Sequence, residues 1–196
     1  MALNSLGSEP LDSEITDLRD GTLIFLSDQT NGQGEALIHE VLANTNAVYN
    51  HPRHSRPVVE DLLARSRYIP DDATPTIFTN GDELTIDCHP YDVAVYDAFQ
   101  AGSKINQSDG VLTALRQNLI EGEAIGIIRD ARTALADRTA LTDFADVTIT
   151  LSEHRTDGNI EYRFAIVKNR YSGPSNMEQP LEFGTPIEID TTRQIS

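Results

Sequence analysis

The sequence predicts a single α/β domain: a mostly parallel sheet flanked by helices, extended at its C-terminal end by an antiparallel hairpin. Three observations carry this. Short apolar runs alternate with amphipathic helical stretches as far as Ile128. A glycine-containing polar loop joins the first apolar run to the first of those helices. Two strand-like segments near the C-terminus then flank one polar turn.

Residues 1–20 are polar and acidic, with one weakly amphipathic, helix-capable stretch around Ile15 and Leu18. Residues 22–26 form an uninterrupted apolar run, as strands covered on both faces do. The polar loop Ser27-Asp28-Gln29-Thr30-Asn31-Gly32-Gln33 and Gly34 follow. Beyond them Ala36, Leu37, Ile38, Val41 and Leu42 recur with helical period up to Asn44. Residues 47–49 read as a second strand, and Pro57 opens a helix with Val58, Val59, Leu62 and Leu63 on one face. Residues 75–78 and 93–96 are the third and fourth strands, the latter closed by Asp97. A helix over 111–120 leads into a fifth strand over 124–128. Strands alternating with helices imply right-handed crossovers and parallel pairing. Residues 147–151 and 162–167 then read as a hairpin about Thr156-Asp157-Gly158-Asn159, and 186–189 as a last short strand. No repeat, low-complexity tract or linker divides residues 1–196.

Charge narrows the function classes. The 196 residues hold 31 Asp and Glu against 15 Lys and Arg, a formal net charge of −16. Lys104 and Lys168 are the only lysines, and tryptophan is absent. Such an excess opposes a compact fold through self-repulsion, which salt of about 1 M screens to within roughly 3 Å. The composition therefore suits the cytoplasm of a halophilic archaeon; an ordinary acidic mesophile protein is the alternative. Direct nucleic-acid binding is disfavoured, because it needs clustered Lys and Arg to displace counterions. No apolar run approaches the roughly 18 residues of a membrane span. Residues 1–5 lack the basic and apolar regions of a secretory signal. Cys88 is the single cysteine, so no disulfide forms within the chain and a reducing compartment is the simplest expectation.

In motif order the chain resembles the RecA superfamily and, within it, the KaiC-like ATPases. The strand over 23–26 and the loop through Gly34 stand where the family has its P-loop. Asp92-Val93-Ala94-Val95-Tyr96-Asp97 resembles a Walker B strand. Ala145-Asp146 before the strand over 147–151, Lys168-Asn169-Arg170 after the next, and the closing strand near Ile187 complete the likeness over residues 20–190. The family's P-loop reads G-x-x-x-x-G-K-[ST], with backbone N–H groups and the lysine on phosphate and the hydroxyl on Mg²⁺. Here the frame reads Gln29-Thr30-Asn31-Gly32-Gln33-Gly34-Glu35-Ala36. Gly34 is kept, Glu35 stands at the lysine and Ala36 at the hydroxyl. A carboxylate at a helix N-terminus is itself favourable, so Glu35 is expected to take the place of a phosphate. The glutamates that activate water in the family are expected after the second strand, where the chain reads Asn50-His51-Pro52-Arg53-His54-Ser55.

What the resemblance implies is a degenerate nucleotide site of Gly32, Gly34, Glu35, Asp97, Lys168 and Arg170, without catalytic residues. Asp97 would be a relict of the metal shell, while Lys168 and Arg170 would reach a neighbouring subunit's nucleotide or form plain salt bridges. No cofactor is expected, ATP and Mg²⁺ being the candidates if any binds. The expected function is a regulatory or protein-interaction module that meets a protein partner or itself. The alternatives are an atypical ATPase using Asp97 with Lys168 or Arg170, and a recombinase-paralogue accessory protein in DNA repair. His51, His54, Cys88 and His89 do not complete a zinc set by spacing, and neither G-x-S-x-G nor C-x-x-C occurs. Asp71-Asp72 and Glu121-Gly122-Glu123 read as solvated surface.

The charge argument makes a direct prediction. Raising KCl from about 0.1 M to about 2 M should raise the thermal midpoint followed by circular dichroism, since screening relieves the repulsion. A midpoint that falls or stays level over that range refutes the halophilic reading.

Overall fold

The computed structural model describes residues 5–30, 32–51, 54–73, 75–78, 87–97, 109–131, 139–172 and 178–190. Asn31, Pro52, Arg53 and Lys104 lie outside them. The elements in order are α1 (Glu9–Glu14), β1 (Leu23–Asp28), α2 (Gln33–Asn44), β2 (Ala47–Asn50), α3 (Arg56–Ala64), β3 (Thr76–Phe78), β4 (Val93–Tyr96), α4 (Asp109–Glu121), β5 (Ile125–Ala131), α5 (Thr139–Phe144), β6 (Val147–Thr156), β7 (Asn159–Asn169), β8 (Gln179–Phe183) and β9 (Ile187–Ile189).

Among the described residues one nine-stranded sheet runs β3-β2-β4-β5-β1-β6-β7-β8-β9. The pairs from β3 to β6 are parallel, and those from β6 to β9 are antiparallel. The α/β architecture expected from the alternation is therefore present, with the antiparallel extension one strand larger: β8 was not anticipated. Nor was α5, and α1 begins ahead of the stretch around Ile15 and Leu18, whose side chains are nonetheless buried.

Period-two alternation sorts the sheet into two cores. Ile24 and Leu26 of β1, Val93 and Val95 of β4, Ile125 and Ile127 of β5 and Tyr49 of β2 face one side, where α2 and α3 cover them with Leu37, Ile38, Val41, Val59 and Leu63. Leu23, Phe25, Val48, Ala94, Tyr96 and Ile128 face the other, beneath Leu112, Leu115 and Leu119 of α4 and Leu141 of α5. Both faces being covered explains why these central strands read as continuous apolar runs.

Two strands outrun their apolar sequence. β1 continues through Ser27 to Asp28, and β5 through Arg129 and Asp130 to Ala131. Their added polar residues are buried, and their position decides the chemistry below.

At the opposite end of β1, Asp146 ties three elements together. Its Oδ2 accepts from Leu23 N–H at 3.0 Å and from Arg116 Nη2 at 2.9 Å, while Oδ1 accepts from Arg170 Nη1 at 3.1 Å. The edge strand β9 is closed by carboxylates: Ile187 N–H donates to Glu40 Oε1 at 2.8 Å and Ile189 N–H to Glu9 Oε2 at 2.9 Å. An edge strand's unpaired N–H groups otherwise invite another chain.

Asp146→Ala strands a buried strand N–H and two arginines. It should cost about 2–4 kcal/mol by guanidinium denaturation; a loss under about 0.5 kcal/mol would show that Asp146 is dispensable.

Candidate functional site

The alternation that builds the α2-side core also decides which polar side chains meet beyond it. Asp28 continues the face of Ile24 and Leu26, Arg129 that of Ile125 and Ile127, and Asp97 that of Val93 and Val95. Tyr49 is already on that face. Because β5 lies between β1 and β4, Arg129 is placed between the two aspartates.

Its guanidinium engages both. Nη1 donates to Asp28 Oδ2 at 2.7 Å and Nε donates to Asp97 Oδ1. Tyr49 donates its hydroxyl to Asp97 Oδ2 at 2.5 Å. Asp28 and Asp97 are fully buried, and the Arg129 side chain is 5% exposed. Glu35, 33% exposed, stands at the rim with Oε2 3.9 Å from Arg129 Nη2 and Oε1 3.8 Å from His39 Nε2.

Burial disfavours the Asp97 charge, but the neighbouring Arg129 and the hydrogen bonds from Arg129 and Tyr49 outweigh it and hold the carboxyl below its ordinary range. Burial raises Glu35, and Asp97 adds to the rise while Arg129 opposes it. Burial pushes His39 down to about 4, so its imidazole is neutral near pH 7. His51 is lowered for the same first reason.

The loop after β1 is held from within. Asp28 Oδ1 accepts from Thr30 N–H at 2.9 Å and from the Thr30 hydroxyl at 2.6 Å, and Thr30 Oγ1 in turn accepts from Gln33 N–H at 2.9 Å. Gly32 precedes the helix with φ +104°, a conformation that favours glycine. Gly34 packs so closely on the Asp28 carboxylate that an added Cβ would overlap it. The Asp28 carboxylate thus packs beside Gly34, while the first-turn N–H of Gln33 is met by Thr30. Glu35 turns its carboxylate toward Arg129 and His39.

Of the six residues expected to form one site, Gly32, Gly34, Glu35 and Asp97 come together. Lys168 and Arg170 do not join them. They stand on and just past the end of β7, four strand spacings from β4, or roughly 19 Å. Lys168 Nζ donates to the carbonyls of Thr142 and Asp143 at 2.6 and 2.8 Å, and Arg170 Nη2 to that of Asp143 at 2.8 Å. Both cations thus satisfy carbonyls at the C-terminal turn of α5.

Asp28, Tyr49 and Arg129 were missed. The available signal was a charged residue in phase with an apolar strand face, at Arg129 and again at Asp28. Cys88 is buried, and His51 stacks on His54 with ring centroids 4.6 Å apart. Among the described residues no three His, Cys, Asp or Glu side chains are arranged to hold a metal ion. None of the described helices is long and apolar enough to cross a membrane.

Replacing Arg129 by Met leaves two buried carboxylates without a counter-charge. It should cost about 3–5 kcal/mol near pH 7. The depressed Asp97 contributes stability that is present above its unfolded value and is lost as pH falls through its lower folded value. In Arg129→Met that contribution is gone, so the gap between variant and wild type should narrow as the pH drops below about 4. A gap that stays constant between neutral and acid pH contradicts the ion-pair account.

The fold and this geometry can be set beside known proteins. A model for a family of unknown function (DUF7125) matches residues 4–196. No curated protein matches the chain by sequence. Among solved structures, the flagellar accessory protein FlaH from Methanocaldococcus jannaschii superposes with a TM-score of 0.70 at 12% identity, covering 96% of this chain and 98% of that one. A KaiC-like protein from the hyperthermophilic archaeon Pyrococcus horikoshii OT3 gives a TM-score of 0.69 at 15% identity, with the same coverage. At such identities the likeness establishes the RecA/KaiC-like fold.

Proposed function

The chain belongs to this family of unknown function, and we propose that it is a non-catalytic RecA/KaiC-like module whose phosphate-binding region is filled by its own ion pairs. The observation that carries this reading is the Asp28–Arg129–Asp97 bridge, with the Asp28 carboxylate packed on Gly34. In a working P-loop the backbone N–H groups, a lysine and a hydroxyl meet the nucleotide and its metal. Here the Asp28 carboxylate packs against Gly34 of the loop, Glu35 adds a second negative charge beside it, and Ala36 offers the metal no oxygen. The residues present therefore do not fit Mg-ATP. Arg129, the one buried cation among the described residues, is already shared between Asp28 and Asp97.

We take its role to be regulatory or protein-interacting, through the C-terminal edge of the parallel strands or a subunit interface. The net charge of −16 favours a protein partner or self-association over direct contact with nucleic acid. The salt-rich cytoplasm of a halophilic archaeon is the compartment that suits this acidic composition. The cis contacts of Lys168 and Arg170 support a structural role for that motif.

Calorimetry with Mg-ATP in molar KCl should detect no binding tighter than millimolar, and phosphate release should equal the buffer blank. Sub-micromolar affinity, or turnover abolished by Asp97→Ala, would instead assign an atypical ATPase.

A further inference from the structure

The side chains of α2 from Leu37 to Leu42 are all buried, so the helix is covered on both flanks. The parallel sheet covers one of them. The other meets residues 5–18 and strands β8 and β9, whose Leu11, Ile15, Leu181 and Ile187 share a core with Leu37 and Val41. Asn44 Nδ2 of α2 donates to the Gly7 carbonyl at 2.8 Å. Because α1 also packs on β9, the two segments form one outer layer.

This layer is lightly tied to the sheet. β8 meets β7 over three register pairs, one of them at Pro180, which has no N–H to give. β6 and β7 pair over ten. Arg67 brings one cation to the layer, at the Phe183 carbonyl, 2.7 Å away. Three further ties are carboxylates on neutral donors. Glu40 Oε1 and Glu9 Oε2 accept from the N–H groups of Ile187 and Ile189, and Glu14 Oε1 accepts from Gln179 Nε2.

The charges along this seam are of one sign. Residues 5–18 hold four acids and residues 179–190 hold three, with no Lys, Arg or His in either segment. Among the described residues no cation pairs with Glu9, Asp12, Glu14 or Glu40. Burial raises the Glu40 carboxyl, and the charges of Glu9 and Asp12 raise it further. Closing the layer therefore gathers like charges that opening would separate. Their fields reach about 10 Å at 0.1 M salt and about 3 Å at 1 M.

We propose that residues 5–18 together with β8 and β9 are a salt-operated cover over α2. It closes when salt screens its carboxylates, and it opens as one unit, ahead of the parallel sheet, when salt is withdrawn. Opening lays bare the flank of α2 that carries Glu40 and Asn44.

The test is hydrogen–deuterium exchange of the whole chain, read by mass spectrometry at one pH. KCl is lowered from about 2 M to the lowest concentration at which circular dichroism still reports the folded sheet. Peptides from residues 5–18, 37–44 and 179–189 are expected to lose protection together, roughly tenfold, while those from β1, β4 and β5 change less than about twofold. Glu9→Gln/Glu14→Gln keeps a side-chain acceptor at both positions and should lower the KCl midpoint of opening to about half. Asp71→Asn/Asp72→Asn removes the same charge from exposed positions elsewhere and should leave that midpoint in place. NaCl should act as KCl does. The proposal is overturned if the three regions open at different concentrations, if they respond no more than β1, β4 and β5, or if both double variants shift the midpoint alike. A response to KCl that NaCl does not reproduce overturns it too. A thermal midpoint that climbs with KCl without this local opening leaves the halophilic reading standing and removes the cover.

Discussion

A guanidinium buried between two carboxylates is the constraint on which the rest of this molecule turns. Arg129 joins the end of β5 to the ends of β1 and β4, so three neighbouring strands are fixed at the edge where their connecting loops depart. Taking such charges out of water costs several kcal/mol per ion, and their mutual attraction repays this only when the remaining donors and acceptors are also satisfied. Here Tyr49 and Thr30 supply the remaining partners. The arrangement is therefore intolerant of partial loss: each member makes the others affordable.

RecA/KaiC-like proteins place a glycine loop at a sheet edge so that α2-type helices can meet an anion. This chain keeps the strand, the loop and the helix, and packs its own Asp28 carboxylate beside Gly34 of the first turn. The skeleton persists because it rests on alternation, on covered strands and on the Asp146 tie at the far end of β1, none of which requires a ligand.

Much of the fold was legible in the sequence because both faces of the central strands are buried, which writes each strand as an apolar run. The parallel order followed from strands and helices taking turns. What escaped did so for identifiable reasons. β1 and β5 were read as ending where hydrophobicity ends, yet Asp28 and Arg129 are strand residues whose burial rests on mutual charge, and hydropathy cannot register that. Tyr49 looked like one more apolar strand residue. Lys168 and Arg170 were visible as cations, but their partners are backbone carbonyls of α5, a six-residue helix too short to announce itself by periodicity. Gly34 was read only as the retained glycine of the loop, and its close packing on Asp28 was not foreseen.

The carboxylates of Glu40 and Glu9 on the outer N–H groups of β9 have a consequence for how copies of this chain can meet. A nine-stranded sheet is long enough to serve as a template, and a bare last strand would let a second chain add itself, and a third after that. With those donors already spoken for, β9 is a poor seed for end-to-end growth. Backbone pairing of a second chain along β9 is thereby disfavoured, and open-ended growth from that edge with it.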